Sequence, residues 1–147
     1  MGELVLPASG NVYLDANGFI YSIERIDPYR SLLDALWQTI SSGQITVVTS
    51  ELTLPEVLVK PLKVGDATTA TLFRTVLQHT PDVRMLPITQ PILEEAAKLR
   101  ATPGLRTPDA IHVATALLHG CALIVTNDST FRRIPNLPVA VLHELIS

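Results

Sequence analysis

Gly120-Cys121-Ala122-Leu123-Ile124-Val125-Thr126-Asn127-Asp128 is an apolar run entered through a glycine and left through three polar turn formers. Five apolar residues without polar alternation suit a strand buried on both faces, and such strands belong to parallel sheets covered by helices on each side. Immediately upstream, Thr107-Pro108-Asp109 has the cap-then-proline form of a helix start, and Gly120 predicts where that helix closes. Helix followed by buried strand is the repeating step of an α/β fold.

The rest of the chain alternates in the same way. Strands are expected at Asn11–Asp15, Ile45–Thr49, Val83–Leu86, Cys121–Val125 and Val139–Leu142. Between them, a first helix covers Phe19–Ile23. A second opens with Asp27 as N-cap and Pro28 as its first residue, and carries Leu32, Leu33, Leu36, Trp37 and Ile40 as a core stripe. Ser50 and Thr53 offer caps for a third, which Pro61 should stop at about Lys60. A fourth spans about Ala67–His79, and a fifth opens at Thr89 and Pro91 and breaks at Thr102-Pro103-Gly104. The expectation is a three-layer α/β/α sandwich around a parallel five-stranded sheet, a single domain over residues 1–147 with about residues 1–10 as an N-terminal extension.

Composition narrows the function classes. The chain has 147 residues, 47% of them apolar and 17% charged, which is enough to build a core and excludes a disordered or collagen-like chain. No apolar stretch approaches the ~20 residues of a membrane span, and the start, Met1-Gly2-Glu3-Leu4-Val5-Leu6-Pro7, lacks the form of a secretory signal; a cytoplasmic protein without membrane association is expected. Cys121, the one cysteine, is expected to be a buried structural thiol. Neither G-x-G-x-x-G nor G-x-x-x-x-G-K-[ST] occurs, which disfavours dinucleotide and nucleoside triphosphate binding. A phosphoacceptor domain also places an Asp after a strand, but residue 17 is Asn where the related phosphatases need a second Asp, and Lys60-Pro61 follows a helix rather than the last strand.

Ligands of open parallel sheets bind beyond the carboxyl ends of the strands. Asp15 ends the first strand, Glu51 and Glu56 follow the second, Asp109 begins the helix that feeds the fourth, and Asp128 follows the fourth. Carboxylates gathered at one edge raise each other's pKa and oppose ionisation unless a cation joins them. An all-oxygen set points to a hard ion, Mg²⁺ or Mn²⁺. Each acid also has a structural reading: Asp109 favours a helix N-terminus, Thr53 with Glu56 fits a capping box, and Asp128 fits a turn. Asp15 is hardest to explain that way, because a charge closing an apolar strand is costly without a partner.

These residues carry a resemblance. Asp15-Ala16-Asn17, Thr49-Ser50-Glu51-Leu52-Thr53-Leu54-Pro55-Glu56-Val57-Leu58, Thr107-Pro108-Asp109-Ala110-Ile111-His112-Val113-Ala114-Thr115-Ala116 and Val125-Thr126-Asn127-Asp128-Ser129-Thr130-Phe131, in this order from about Val12 to Leu142, resemble PIN domains, and the compact size is similar to VapC-type toxins. The resemblance implies a Mg²⁺ or Mn²⁺ site of four acids and cleavage of RNA phosphodiester bonds to 5′-phosphate and 3′-hydroxyl ends. It assigns Asp15, Glu56, Asp109 and Asp128 as catalytic acids and metal ligands, with Thr126 as the hydroxyl near the metal. Glu51 is the rival for the second acid, but the apolar spacing of Leu52, Leu54, Val57 and Leu58 favours Glu56. Pro55 directly before Glu56 and the residues preceding the first strand depart from the shortest members. The resemblance further implies a homodimer and, for a toxin, a cognate antitoxin; the alternatives are a free-standing RNA-processing nuclease and a non-catalytic PIN-like scaffold that binds RNA or protein.

Net charge is −3, but setting aside the four acids makes it +1, so overall acidity is no objection to an RNA substrate. Arg106, Arg132 and Arg133 flank the site in sequence and are candidate phosphate contacts. Asn17 is expected to brace Asp15 or cap the following helix. His112 lies three residues after Asp109, but a histidine in an apolar helix is more often packed than catalytic.

Overall fold

Five parallel strands form one sheet in the order β3-β2-β1-β4-β5 in a computed structural model that describes residues 2–146. They are β1 (Gly10–Leu14), β2 (Ile45–Ser50), β3 (Val83–Leu86), β4 (Leu123–Thr126) and β5 (Val139–Val141). The chain moves outward from β1 to β2 and β3, then crosses back to β4 on the other side of β1. Strand order therefore reverses between β1 and β4, which is where open α/β sheets form their binding crevice.

Alternation along the strands sorts the core into two halves. Val12, Leu14, Val47 and Val125 pack with α1 (Ala16–Ile23), α2 (Tyr29–Ile40), α3 (Thr53–Val64) and α4 (Ala67–His79), through Phe19, Leu33, Leu36, Val57 and Phe73. Tyr13, Val48 and Ile124 face the other way, onto α5 (Gln90–Ala101) and α6 (Thr107–Leu118). The expected three layers and five parallel strands are present. Every residue of α6 from Ala110 to Ala116 is buried, and its alanines let the helix lie close to the sheet. Trp37 packs on Phe19 at a ring-centroid distance of 5.9 Å and donates to Ser22 Oγ, so it belongs to the core. Leu4, ahead of β1, is buried in the first half of the core. No helix among the described residues is long and apolar enough to cross a membrane.

Several element ends differ from expectation. Pro61 does not stop α3, which continues to Val64; it is buried, and its missing N–H removes a single backbone bond one turn before the end. The helix closes instead at Gly65, whose φ of 71° is the left-handed C-terminal conformation glycine adopts readily. Pro28, not Asp27, is the N-cap of α2; Asp27 holds the turn from one residue earlier, accepting from Ser31 N–H and Oγ–H. Thr107 is the first residue of α6 rather than its cap, which is Arg106. Neither Ser50 nor Thr53 caps α3 through its side chain: Ser50 Oγ accepts from Leu52 N–H, and the Thr53 hydroxyl pairs with that of Thr49 at 2.7 Å. β4 begins at Leu123 and ends at Thr126, shifted from the expected Cys121–Val125. Cys121 is partly buried, and burial pushes its thiol up to about 12.

Candidate active site

Leu14 of β1 pairs with Val125 of β4, so the next residues, Asp15 and Thr126, come side by side at the reversal point of the sheet. Thr126 Oγ1 donates to Asp15 Oδ2 at 2.6 Å and accepts from Asp128 N–H at 3.1 Å. Asp15 is 6% exposed, and its other oxygen, Oδ1, is buried without a hydrogen-bond partner among the described residues. Burial dominates its ionisation and holds the carboxyl above the usual aspartate range, against the opposing hydrogen bond from Thr126 Oγ1.

The other acids arrive on separate elements. Asp109 sits in the first turn of α6, where the helix dipole favours a carboxylate. Its carboxyl is also held above the usual range, first by burial and next by Asp128; Arg106 opposes this, its Nε lying 3.5 Å from Asp109 Oδ2. Asp128 caps the 3₁₀ helix Ser129–Arg133 with Oδ1, which accepts from Thr130 N–H and Oγ1–H, while Oδ2 accepts from no described residue. Glu56 stands in the first turn of α3. Asp15, Glu56, Asp109 and Asp128 all line one cleft of about 520 Å³, together with Asn17, Arg106 and His112. A second hollow of about 270 Å³ shares Arg106, Asp109 and Asp128 with it and is also lined by Arg133.

The capping-box reading of Glu56 fails because Thr53 is engaged with Thr49. Glu51, the rival acid, points elsewhere: it is exposed, accepts from Ile88 N–H at 3.3 Å and does not line the cleft. Asn17 is exposed at the cleft and makes no side-chain hydrogen bond among the described residues, so it neither braces Asp15 nor caps α1. Arg132 lines neither hollow and is held in an exposed two-oxygen ion pair by Glu144. Arg106 and Arg133 remain at the two hollows.

His112, expected as a packed residue, is packed, and its ring also reaches the cleft. It is 3% exposed, with Nδ1 2.6 Å from Tyr13 Oη and Nε2 2.7 Å from Glu56 Oε1. Its spacing from Asp109, three residues along one helix, is the signal that could have placed it on the same face.

Carboxylates of this kind suit a hard divalent cation. Among the described residues no three His, Cys, Asp or Glu side chains close into a ready-made cage. The unpartnered buried oxygen of Asp15, with the free Oδ2 of Asp128 and the largely buried Asp109, instead fits an ion that keeps several of its waters, as Mg²⁺ does.

Comparison with known proteins shows the family and the fold. A family model described as PIN domain matches residues 12–137. The fold superposes on a chain of a toxin–antitoxin complex from Klebsiella pneumoniae with a TM-score of 0.66 and 26% identity, covering 88% of this chain and 95% of that one. It also matches a VapBC complex from Rickettsia felis bound to a fragment of its promoter DNA (TM-score 0.66, 19% identity, 89% and 98% covered). A sarcin–ricin-loop-cleaving VapC toxin of Mycobacterium tuberculosis matches with a TM-score of 0.63 at 17% identity, over 77% and 86% of the two chains. No curated protein sequence matches the chain. The chain belongs to the PIN domain family. Its fold is similar to those of chains from toxin–antitoxin complexes.

Proposed function

We propose that the protein is a Mg²⁺- or Mn²⁺-dependent endoribonuclease and the toxin of a type II toxin–antitoxin pair, a cytoplasmic homodimer restrained by a cognate antitoxin. The observation that carries the catalytic reading is the buried, unpartnered Asp15 Oδ1 in a cleft lined by three further acids. A buried carboxylate oxygen without a partner is expensive, and a cation is the partner that a nuclease supplies. The toxin role rests on the likeness to the Klebsiella pneumoniae complex.

In this reading Asp15, Asp109 and Asp128 would hold the cation, directly or through water, with Glu56 in its outer shell or on a second ion. A bound divalent ion supplies stabilisation of charge on the phosphoryl oxygens and a more acidic attacking water. Thr126 keeps Asp15 in one orientation by occupying Oδ2. Glu56 has Oε1 tied to His112, which leaves Oε2 to orient the attacking water and accept its proton. Arg106, which lines both hollows, and Arg133, which lines the second, take the phosphates on either side of the scissile bond. A free-standing RNA-processing nuclease would use the same acids; a small antitoxin gene beside this one separates the two roles.

The test is cleavage of an end-labelled pool of structured RNA with Mn²⁺, comparing wild type, Asp109→Asn and a chelator control. Cleavage abolished in both controls supports the reading. Cleavage that survives Asp109→Asn overturns the site, and Mn²⁺ binding without cleavage of any RNA supports the scaffold alternative.

A further inference from the structure

A polar chain runs from the interior of the sheet to the cleft: Tyr13, on β1, to His112, on α6, to Glu56, on α3. Tyr13 is fully buried and His112 nearly so, in the middle of the apolar segment Ala110–Ala116. Apolar side chains of similar size would fill this volume without the cost of burying a hydroxyl and an imidazole. The chain ends on a carboxylate that still has about a third of its side chain exposed. It therefore connects packing to the cleft rather than merely satisfying a buried ring.

The direction of the chain follows from its donors. In a neutral imidazole one nitrogen donates and the other accepts, and the partner of one sets the role of the other. Burial holds the Tyr13 phenol well above its ordinary range, so it stays a protonated donor. Its only side-chain hydrogen bond among the described residues is to His112 Nδ1, which therefore accepts its proton. The imidazole proton then lies on Nε2, directed at Glu56 Oε1.

We infer that His112 is a positioning residue: with its tautomer set by Tyr13, it holds Glu56 Oε1 so that Glu56 presents its other oxygen to the cation site in one orientation. The inference rests on the reading of Glu56 as an acid of that site. Outer hydrogen-bond partners of this kind typically change metal affinity or activity about 10–100-fold when removed.

Two replacements separate positioning from packing. Glutamine places its amide nitrogen near the position of Nε2 and can still donate to Glu56; asparagine reaches only the position of Nδ1 and can satisfy Tyr13 but not Glu56. The measurement is Mn²⁺ binding to the full chain by titration calorimetry without RNA, followed by kcat and KM on a cleaved RNA. His112→Gln is expected to stay within about 3-fold of wild type, and His112→Asn to lose about 10–100-fold in Mn²⁺ affinity, with kcat lowered and KM for RNA unchanged. Equal affinities for the two variants, or the reverse order, overturn the inference while leaving the nuclease reading intact. Failure of the wild type to bind Mn²⁺ overturns that reading and this inference with it. Should His112→Asn not fold, Tyr13→Phe removes one oxygen and supplies the comparison: the ¹⁵N shifts of His112 are expected to move from the Nε2–H pattern toward a mixture of tautomers. Unchanged shifts overturn the inference.

Discussion

Thr126 donates to one oxygen of Asp15 and leaves the other buried and unpartnered, across the point where strand order reverses. The fold thus bears an electrostatic cost at Asp15 that a cation would relieve. Asp15→Asn keeps the shape and the acceptor for Thr126 while removing the charge. Without metal, the variant is expected to be more stable by about 1 kcal/mol or more, a rise in Tm of roughly 3 °C for a domain of this size. It should also lose the Mn²⁺-dependent rise in Tm shown by the wild type. Thermal melts with EDTA and with Mn²⁺ check both, and a metal-free variant less stable than wild type would contradict the argument.

The same cost predicts a pH dependence. Burial raises the carboxyls of Asp15 and Asp109 in the folded chain, with Asp128 adding to the shift at Asp109. A raised acid binds its proton more tightly when folded, so its contribution to stability is fully present below the unfolded value of about 3.9 and is lost as pH rises through the folded values. Exposed Asp27, Asp66 and Glu144 are held low, by Ser31, Thr69 and Arg132 respectively, and their contributions fall away only in stronger acid. Between about pH 4, near the unfolded value, and pH 8 the metal-free protein should therefore lose the stability contributed by the two raised acids. Mn²⁺ needs the deprotonated carboxylates, so its stabilising effect should be larger at pH 8. Equal Mn²⁺-induced shifts in Tm at the two pH values would contradict ligation by these acids.

The sheet was legible because its strands are short apolar runs bounded by Gly, Pro and Asp. The four acids were legible because each follows a strand or opens a helix. Helix caps were shifted by one residue at Pro28 and Thr107, where proline fits both the cap and the first turn. The Tyr13–His112–Glu56 chain joins residues 99 and 56 positions apart, so it depends on strand register and helix rotation together, neither of which is visible along the sequence. Arg132 was indistinguishable from Arg133 until Glu144, twelve residues away, folded back onto it.

Gly18 shows how closely α1 is seated against β1. A Cβ at this position would lie 2.1 Å from Leu14 Cδ1 and 2.5 Å from Leu14 Cγ, and Leu14 is fully buried. Gly18→Ala is expected to cost about 1–3 kcal/mol through overpacking. Because Leu14 precedes Asp15 and Gly18 N–H donates to Asp15 O at 3.1 Å, Mn²⁺ affinity should fall as well. Urea unfolding and Mn²⁺ titration of the variant test the two effects separately.

The arginines divide by their partners. Arg132→Ala removes a side chain already held by Glu144, and RNA affinity should change less than 2-fold. Arg133 lies in the hollow with Asp109 and Asp128 and makes no ion pair among the described residues. Arg133→Ala should weaken binding of RNA to a catalytically inactive Asp109→Asn background and reduce the salt dependence of binding by about one counterion. Filter binding at several salt concentrations measures both; equal losses for the two arginines would show that Glu144 does not withhold Arg132.

Glu51 and Glu56 stand five residues apart, and the backbone between them decides which one serves the cleft. The turn after β2 directs Glu51 toward Ile88 N–H, on the loop that follows β3, whereas the first turn of α3 brings Glu56 to His112. Glu51→Gln retains an acceptor for Ile88 and should leave cleavage and Mn²⁺ affinity within about 2-fold of wild type. Glu56→Gln keeps the length and the hydrogen bond to His112 but removes the charge and the proton acceptor on the free oxygen. General base catalysis contributes typically about 10²–10⁴-fold, so kcat should fall by at least about 100-fold while the fold survives. Activity assays and melts on the two single variants give the answer: a large loss in Glu51→Gln with little change in Glu56→Gln would reverse the assignment of the second acid.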